Sequence, residues 1–211
     1  MLQMRAAAVF AALCVVMPGC KFVKTAEQEA QVAANAFDPD RMVAEAWDSK
    51  VLPYLQKRAG TFEAVTAMIA SDPEAAAQTF GHKEKGGTAP WTYVATVKGV
   101  IVTAETKSRA AYVDVDINAD GQSDLRLAIG PAIRGTALRD SLGFVSFNEF
   151  KNQIDWAQYG KSFNTYVNAT VLEKLPRDGL VGKSVDALGA FPQPATGELP
   201  QFVPAMITVG G

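Results

Sequence analysis

Histidine, cysteine and excess positive charge are all scarce in this sequence. Its 211 residues include one histidine, His82, and two cysteines, Cys14 and Cys20. A single histidine excludes a metal site built from several histidines. A Ser-His-Asp triad would depend on His82, which lies in a Lys- and Gly-rich stretch without a nucleophile motif. The 20 Lys and Arg residues are balanced by 22 Asp and Glu residues, so the chain lacks the basic surplus that nucleic-acid binding requires.

A long apolar run is also absent. The uncharged stretch Ala6 to Met17 is shorter than the roughly 20 residues that span a bilayer. With the positive charge before it and Gly19 after it, this stretch predicts a secretory signal peptide over residues 1–19. A cysteine at the cleavage point predicts lipid attachment at Cys20; the alternative is an ordinary signal peptide cut nearby, with Cys20 unmodified. The mature chain then keeps one cysteine and can form no internal disulfide.

The sequence before the first strand-like segment divides into a tether and a helical part. Residues 20–36 are polar and rich in alanine, which predicts a tether between the lipid and the folded body. Residues 37–85 predict a helical subdomain. Asp38-Pro39 is a favourable helix start, and apolar residues from Val43 onward recur at helical spacing. Pro53 is expected to kink or divide the first helix.

Residues 90–211 are predicted to form a small barrel. Alternating apolar and polar residues and β-branched runs indicate strands near 91–103, 111–117, 125–129, 184–191 and 202–209. A helical stretch over 131–175 separates the third strand from the fourth. This order is that of an OB-type barrel. The predicted fold class is therefore α+β, with an N-terminal helical segment followed by an OB-like five-stranded antiparallel barrel that contains an inserted helical stretch.

The hairpin between the second and third strands carries a possible Ca²⁺ motif. Oxygen-bearing side chains recur at alternate positions and a glycine permits the turn, as in the first nine positions of a calcium-binding loop. The twelfth position is Leu127, where such loops have a bidentate glutamate. The alternative is a polar hairpin that uses Asn, Asp and Gly for turning alone. The predicted ligands of a weak structural Ca²⁺ are Asp116, Asn118, Asp120, Gln122 and Asp124; no other cofactor is predicted.

Two polar clusters after the third strand are candidates for binding a ligand or partner. Arg134, Thr136, Arg139 and Asp140 stand close along the chain, and their arginines could hold a carboxylate or an array of sugar hydroxyls. The alternative is that Arg139 and Asp140 pair locally while Arg134 ties down a loop.

The second cluster interleaves amides with aromatic residues. Asn148, Asn152 and Gln153 lie among phenylalanines and a tryptophan, an arrangement that could recognise a sugar by stacking and amide hydrogen bonds. The alternative is that the aromatic side chains belong to the core and the amides serve the local backbone.

No catalytic constellation is evident. Asp114 and Asp116 lie two residues apart on one strand face, and paired carboxylates can cleave glycosidic bonds. Nothing in the sequence distinguishes this pair from a solvated strand face, and no Gly-rich phosphate loop is present. We therefore predict a protein that is not an enzyme, with an envelope hydrolase as the remaining alternative.

Several segments resemble a family of predicted periplasmic lipoproteins of unknown function, DUF2291. They include the signal ending at Cys20, the Asp-rich hairpin, and residues 37–50, 53–55, 129–131, 133–140, 147–154 and 181–185. The resemblance implies an OB-type barrel and genes that lie beside those of sugar ABC transporters. It implies no catalytic residues.

These observations predict a lipid-anchored protein on the periplasmic side of the bacterial envelope. Its expected role is a non-enzymatic accessory or binding component of sugar ABC-type uptake. The expected partners are the membrane, transporter components or carbohydrate. A carbohydrate-binding barrel that acts independently of a transporter is the alternative.

Lipidation of Cys20 is testable in membrane fractions. Mass spectrometry of the protein purified from membranes should find Cys20 as the acylated N-terminal residue. An unmodified Cys20 would contradict the prediction.

Calcium binding is testable by isothermal titration. If the Asp-rich hairpin holds Ca²⁺, millimolar Ca²⁺ should release or absorb heat and raise the melting temperature. A titration with neither effect would rule the site out.

Overall fold

The chain begins with a series of short helices in the computed structural model, which describes residues 37–210. The predicted signal peptide (1–19), Cys20 and the tether (20–36) lie outside the described residues. The first helices are α1 (Pro39–Ala46), α2 (Leu52–Arg58), α3 (Phe62–Ser71) and α4 (Pro73–Phe80), with a π-helical segment (Trp47–Val51) joining α1 to α2.

Side-chain caps explain where α1 and α4 begin. Asp38 accepts a hydrogen bond from the backbone N–H of Arg41 at 3.0 Å, and Asp72 accepts one from that of Ala75 at 3.0 Å. Each cap is followed by a proline in the first turn, where its missing N–H is not needed. Pro53 divides the first helix as predicted. The wider turn of Trp47–Val51 precedes it, because proline cannot donate the regular helical bond.

Five strands form the barrel, and two very short strands lie against its first strand. The barrel strands are β3 (Thr92–Glu105), β4 (Tyr112–Asp116), β5 (Leu125–Ala128), β6 (Ser184–Pro192) and β7 (Gln201–Val209); the short strands are β1 (Gly60–Thr61) and β2 (Gly81–His82). Hydrogen-bonded neighbours run from β3 through β4, β5, β7 and β6 back to β3, so the ring is closed. The predicted OB-like barrel is confirmed.

One contact of the ring differs from the predicted all-antiparallel arrangement. β5 and β7 pair in parallel, through Arg126 with Gln201 and Leu127 with Phe202, whereas the other barrel pairs are antiparallel. In a closed ring with an odd number of strands, the strand directions cannot alternate all the way round. A five-stranded barrel therefore needs one parallel pair, and the barrel is mixed.

The inserted helical stretch is broken into several pieces. It contains α5 (Ala137–Asp140), a 3₁₀ turn (Phe147–Glu149), α6 (Gln153–Thr170) and a second 3₁₀ turn (Leu172–Lys174). A capping box of Ser146 and Glu149 starts only the short turn, since Phe150 is extended. α6 runs through Gly160 without interruption.

The core has two parts, one on each side of the sheet. Inside the barrel, inward residues of the strands pack with Phe62 and Val65 of α3. Outside it, α1, α2, α5 and α6 cover the outer face of β6 and β7, where Leu188, Ala190 and Val203 are buried. Residues 37–85 therefore pack onto the barrel, and Phe37–Gly211 form one compact unit. No helix between residues 37 and 210 has both the length and the apolar character to cross a membrane.

Close packing of β6 on β7 makes Gly189 sensitive to substitution. A Cβ atom at this position would collide with the carbonyl oxygen of Val203 and with the ring of Phe202. We expect Gly189→Ala to lower the free energy of unfolding by about 1–3 kcal/mol, as overpacking does. Gly87→Ala, in an open loop where the nearest atom would be 3.4 Å away, should change it by less than about 0.5 kcal/mol. Urea denaturation of both variants measures these free energies. Equal stabilities of the two variants would contradict the close packing at Gly189.

Candidate ligand-binding site

A pocket opens at the parallel contact between β5 and β7. Its volume is about 240 Å³. The loop before β4, the outer face of β4 and β5, the loop after β5 and the start of β7 contribute its walls. Its polar or aromatic lining residues are Ser108, Tyr112, Arg126, Arg134, Gln201 and Phe202. The floor includes alanines, whose small side chains leave the space open.

Strand alternation puts the key side chains on the outer face. Val113 and Leu127 point into the barrel core, so the neighbouring Tyr112, Asp114 and Arg126 point outward. Asp114 is the cross-strand partner of Arg126 in the β4–β5 ladder. The outer face of this pair of strands therefore carries a carboxylate, a guanidinium and a phenol in direct contact.

The Arg126 guanidinium is fixed by two neighbours. Its Nε and Nη2 atoms donate to the two carboxylate oxygens of Asp114 at 2.7 and 2.9 Å, and its centre lies 3.6 Å from the centroid of the Tyr112 ring. The hydrogen bonds to Asp114 hold the pKa of Arg126 above its usual value, so the group stays positive. The Asp114 side chain is 8% exposed and that of Arg126 35%. Nη1 keeps its hydrogen-bond donors for a ligand, as the bonds to Asp114 do not use them.

Arg134 stands at the same pocket with a different environment. It is exposed and makes no hydrogen bond or ion pair with any residue between 37 and 210. Arg134 does not tie down its loop, which was the alternative to ligand binding. Asn164 of α6 does so, since its Nδ2 donates to the carbonyl oxygens of Gly135 at 2.8 Å and Ile133 at 3.4 Å. The Arg134 guanidinium is therefore available to a ligand.

Asn164 is a positioning residue that sequence reasoning missed. It lies in α6, far along the chain from the loop that it holds, next to the buried Phe163. Gly135 has a φ of 71°, a left-handed conformation that favours glycine. No local pattern links a helical asparagine to such a turn, so only the tertiary structure reveals the contact.

The other members of the first predicted cluster form an internal network. Arg139 donates from Nε to Asp140 at 2.8 Å, from Nη2 to Thr136 at 3.0 Å and from Nη1 to the backbone oxygen of Trp156 at 2.8 Å. Its guanidinium lies 3.9 Å from the Trp156 ring centroid, and its side chain is 9% exposed. Local pairing of Arg139 with Asp140, the alternative to ligand binding, is thus present. This network joins α5 to α6, and Gly160 leaves room for it.

The second predicted cluster lies elsewhere. Asn152 caps α6, accepting from the backbone N–H groups of Ile154 and Asp155 at 2.8 and 2.9 Å. Asn148 and Gln153 are exposed. Neither they nor Asn152 are among the described residues that line the pocket at Arg134. The ligand-binding role of these amides stays a prediction.

The aromatic side chains around these amides pack against one another. The Phe150 ring lies 5.0 Å from Trp156 and 5.0 Å from Tyr159, centroid to centroid. Burial raises the pKa of the Tyr159 hydroxyl, so this tyrosine stays protonated. The rings therefore stabilise the fold, as the alternative reading of the cluster expected.

The Asp-rich hairpin uses its carboxylates to hold its own backbone. Asp116 accepts from the N–H groups of Ala119 at 2.7 Å and Gly121 at 2.8 Å, and Asp124 accepts from that of Ile117 at 2.7 Å. Within residues 37–210, no group of three or more His, Cys, Asp or Glu side chains is arranged to hold a metal ion. These bonds are those of a polar turn, and Ca²⁺ binding stays a prediction.

A larger groove, which the sequence did not predict, lies along the junction of the helices and the barrel. It has a volume of about 760 Å³ and is mostly apolar. Its walls come from elements distant in the sequence, and they include Leu52, Tyr166, Val171, Leu188, Met206 and Ile207.

Comparisons with known proteins agree with this architecture. The chain is similar to a crystal structure of an OB-fold protein from Thermotoga maritima, with 24% identity, a TM-score of 0.63, and coverage of 82% of this chain and 99% of that one. The protein is thus an OB-fold barrel with added helices. A search of curated proteins found no match. Residues 10–208 match the family described as predicted periplasmic lipoprotein (DUF2291). The chain belongs to this family of lipid-anchored proteins on the periplasmic side of the cell envelope.

The pairing of Asp114 with Arg126 is expected to stabilise the barrel face. Asp114→Ala removes two charge-assisted hydrogen bonds from a mostly buried group, and we expect it to lower the free energy of unfolding by about 1–3 kcal/mol. Asp186→Ala is the matched control. Asp186 pairs with Lys98 at 3.2 Å, but their side chains are 55% and 78% exposed, so the loss should stay below about 1 kcal/mol. Urea denaturation measures both, and an equal loss would contradict the assigned role of Asp114.

Proposed function

We propose that this lipoprotein is a non-enzymatic accessory component of ABC-type sugar uptake and that its barrel pocket binds a small carbohydrate. The observation that carries the proposal is the pocket at the β5–β7 contact, with Arg134 exposed at its wall and Arg126 held beside it. The link to uptake rests on the family resemblance, and the binding role rests on the pocket.

The place of the pocket in the fold supports a binding role. OB-folds bind oligosaccharides and oligonucleotides on the face of their second and third strands and on the loops that connect strand 1 to 2 and strand 4 to 5. In this barrel those strands are β4 and β5. The pocket is lined by Ser108 from the first of these loops and by Gln201 directly after the second. The near balance of charge over the chain favours a sugar over a nucleic acid.

The chemistry of the lining also supports binding over catalysis. Guanidinium, amide and hydroxyl groups can hydrogen-bond to sugar hydroxyls. The acidic pair that a hydrolase would need is used otherwise, since Asp114 binds Arg126 and Asp116 accepts two backbone N–H groups. A glycosidase acid must exchange a proton with the substrate, and these carboxylates serve the fold.

Ligand binding is testable with a thermal-shift panel of mono- and oligosaccharides. At least one monosaccharide should raise the melting temperature of the protein, and Arg134→Ala should remove the shift. Lys161→Ala, an exposed charge change on α6, should keep it. A flat panel, or a shift that survives Arg134→Ala, would contradict binding at this pocket.

The accessory role is testable in the native membrane. Cross-linking of the full lipid-anchored protein, followed by mass spectrometry, should recover the permease or the solute-binding protein of a sugar ABC transporter. Loss of the lipoprotein should also slow uptake of that sugar. Normal uptake and no such cross-link would contradict the accessory role and favour a carbohydrate-binding barrel that acts alone.

A further inference from the structure

We infer that the ligand of the barrel pocket is an acidic sugar, a single sugar ring with a carboxylate that pairs with Arg134. This inference deepens the proposed function and rests on it. It names the class of carbohydrate from the charge, geometry and size of the pocket.

The charge of the pocket is positive although that of the chain is not. The whole sequence carries a formal charge of −2. Among the described residues that line the pocket, two are arginines, Arg126 and Arg134, and none is acidic. A cavity with this lining favours an anion over a neutral ligand of the same shape.

Nearby carboxylates do not cancel this charge at Arg134. Asp114 is held by Arg126 in a bidentate pair. Glu105, at the end of β3, accepts from the backbone N–H groups of Lys107 at 2.8 Å and Ser108 at 3.3 Å. Arg126 therefore balances the charge of Asp114, whereas Glu105 is bound to its own loop and is not among the described residues that line the pocket. Arg134 is left as the uncompensated cation of the pocket.

The geometry favours recognition by guanidinium groups over stacking on an aromatic ring. The pocket lining has two aromatic residues, Tyr112 and Phe202. The Arg126 guanidinium already covers one face of the Tyr112 ring at 3.6 Å, and Phe202 is fully buried in the barrel core. A planar guanidinium matches a carboxylate with two parallel hydrogen bonds. The backbone of the Arg134 loop is held by Asn164, so less conformational entropy is lost when the ligand binds.

The size of the pocket restricts the ligand to about one ring. Sites for drug-sized molecules have volumes of about 300–1,000 Å³, and this pocket has about 240 Å³. A monosaccharide acid can place its carboxylate at Arg134 and its hydroxyls toward Arg126 and Gln201. A longer oligosaccharide would have to extend beyond the cavity.

Matched pairs of sugars test the inference by isothermal titration. Glucuronate against glucose, galacturonate against galactose and mannuronate against mannose each replace a CH₂OH group by a carboxylate. In at least one pair the acidic sugar should bind at least about ten times more tightly than the neutral sugar. Added salt should weaken binding of the acidic sugar, because salt screens its attraction to Arg134. Arg134→Gln should lower the affinity for the acidic sugar by about tenfold to hundredfold, as expected for the loss of a charge-assisted pair. It should also remove the preference for the acidic over the neutral sugar. Lys161→Gln should leave the preference unchanged.

A second variant separates contact from positioning. Asn164→Ala should weaken binding of the acid several-fold while keeping the preference over the neutral sugar. The substitution releases the loop but keeps the positive charge of the Arg134 guanidinium. Arg134→Lys should restore part of the affinity that Arg134→Gln loses. Circular dichroism confirms that each variant is folded.

The possible outcomes separate this inference from the function that it rests on. Equal binding of acid and neutral sugars, or a preference that survives Arg134→Gln, would overturn the acidic-sugar inference and leave a carbohydrate site. Absence of binding by every sugar would overturn both. If lactate binds as tightly as the uronate and its binding depends on Arg134, the pocket is a site for small carboxylic acids. This result would contradict a sugar ligand.

Discussion

Closure of a ring with an odd number of strands is the constraint on which this structure depends. β3, β4, β5, β7 and β6 close on themselves, so one neighbouring pair has to be parallel. That pair, β5 with β7, has only Arg126–Gln201 and Leu127–Phe202 in register. β5 ends soon after this contact while β7 continues, and the pocket opens there, between an outer strand face and two loops. The place where the ladder is weakest is thus the place where the barrel can admit a ligand.

The inserted helices connect this pocket to the second core. α6 packs on the outer face of β6 and β7, and its Asn164 holds the loop that carries Arg134. Arg139 joins α5 to the same helix through the backbone oxygen of Trp156. The position of Arg134 therefore depends on helix packing as well as on the barrel. In the proposed binding site, a packed helix that holds the Arg134 loop would reduce the entropy cost of binding.

Local patterns predicted the elements well and their contacts poorly. Alternation of apolar and polar residues placed β4, β5, β6 and β7 within a few residues of their observed bounds, and Asp38-Pro39 predicted the start of α1. The parallel pair was missed, because alternation reports which face a residue occupies and says nothing of the neighbouring strand. Arg134 was predicted and lines the pocket, whereas Arg139 lies five residues further on and is buried against Trp156. Burial of an arginine beside an aromatic ring depends on a helix packing that spacing along the chain does not encode.

The pocket at the β5–β7 contact, with Arg134, is the proposed binding site of this lipoprotein. An NMR titration of the ¹⁵N-labelled protein with the tightest-binding uronate tests it most directly, because every backbone amide reports on its surroundings. If the ligand binds in this pocket, the amide shifts should concentrate at Ser108, Arg134 and Gln201. Shifts confined to the groove at Leu52, Tyr166 and Met206 would contradict it.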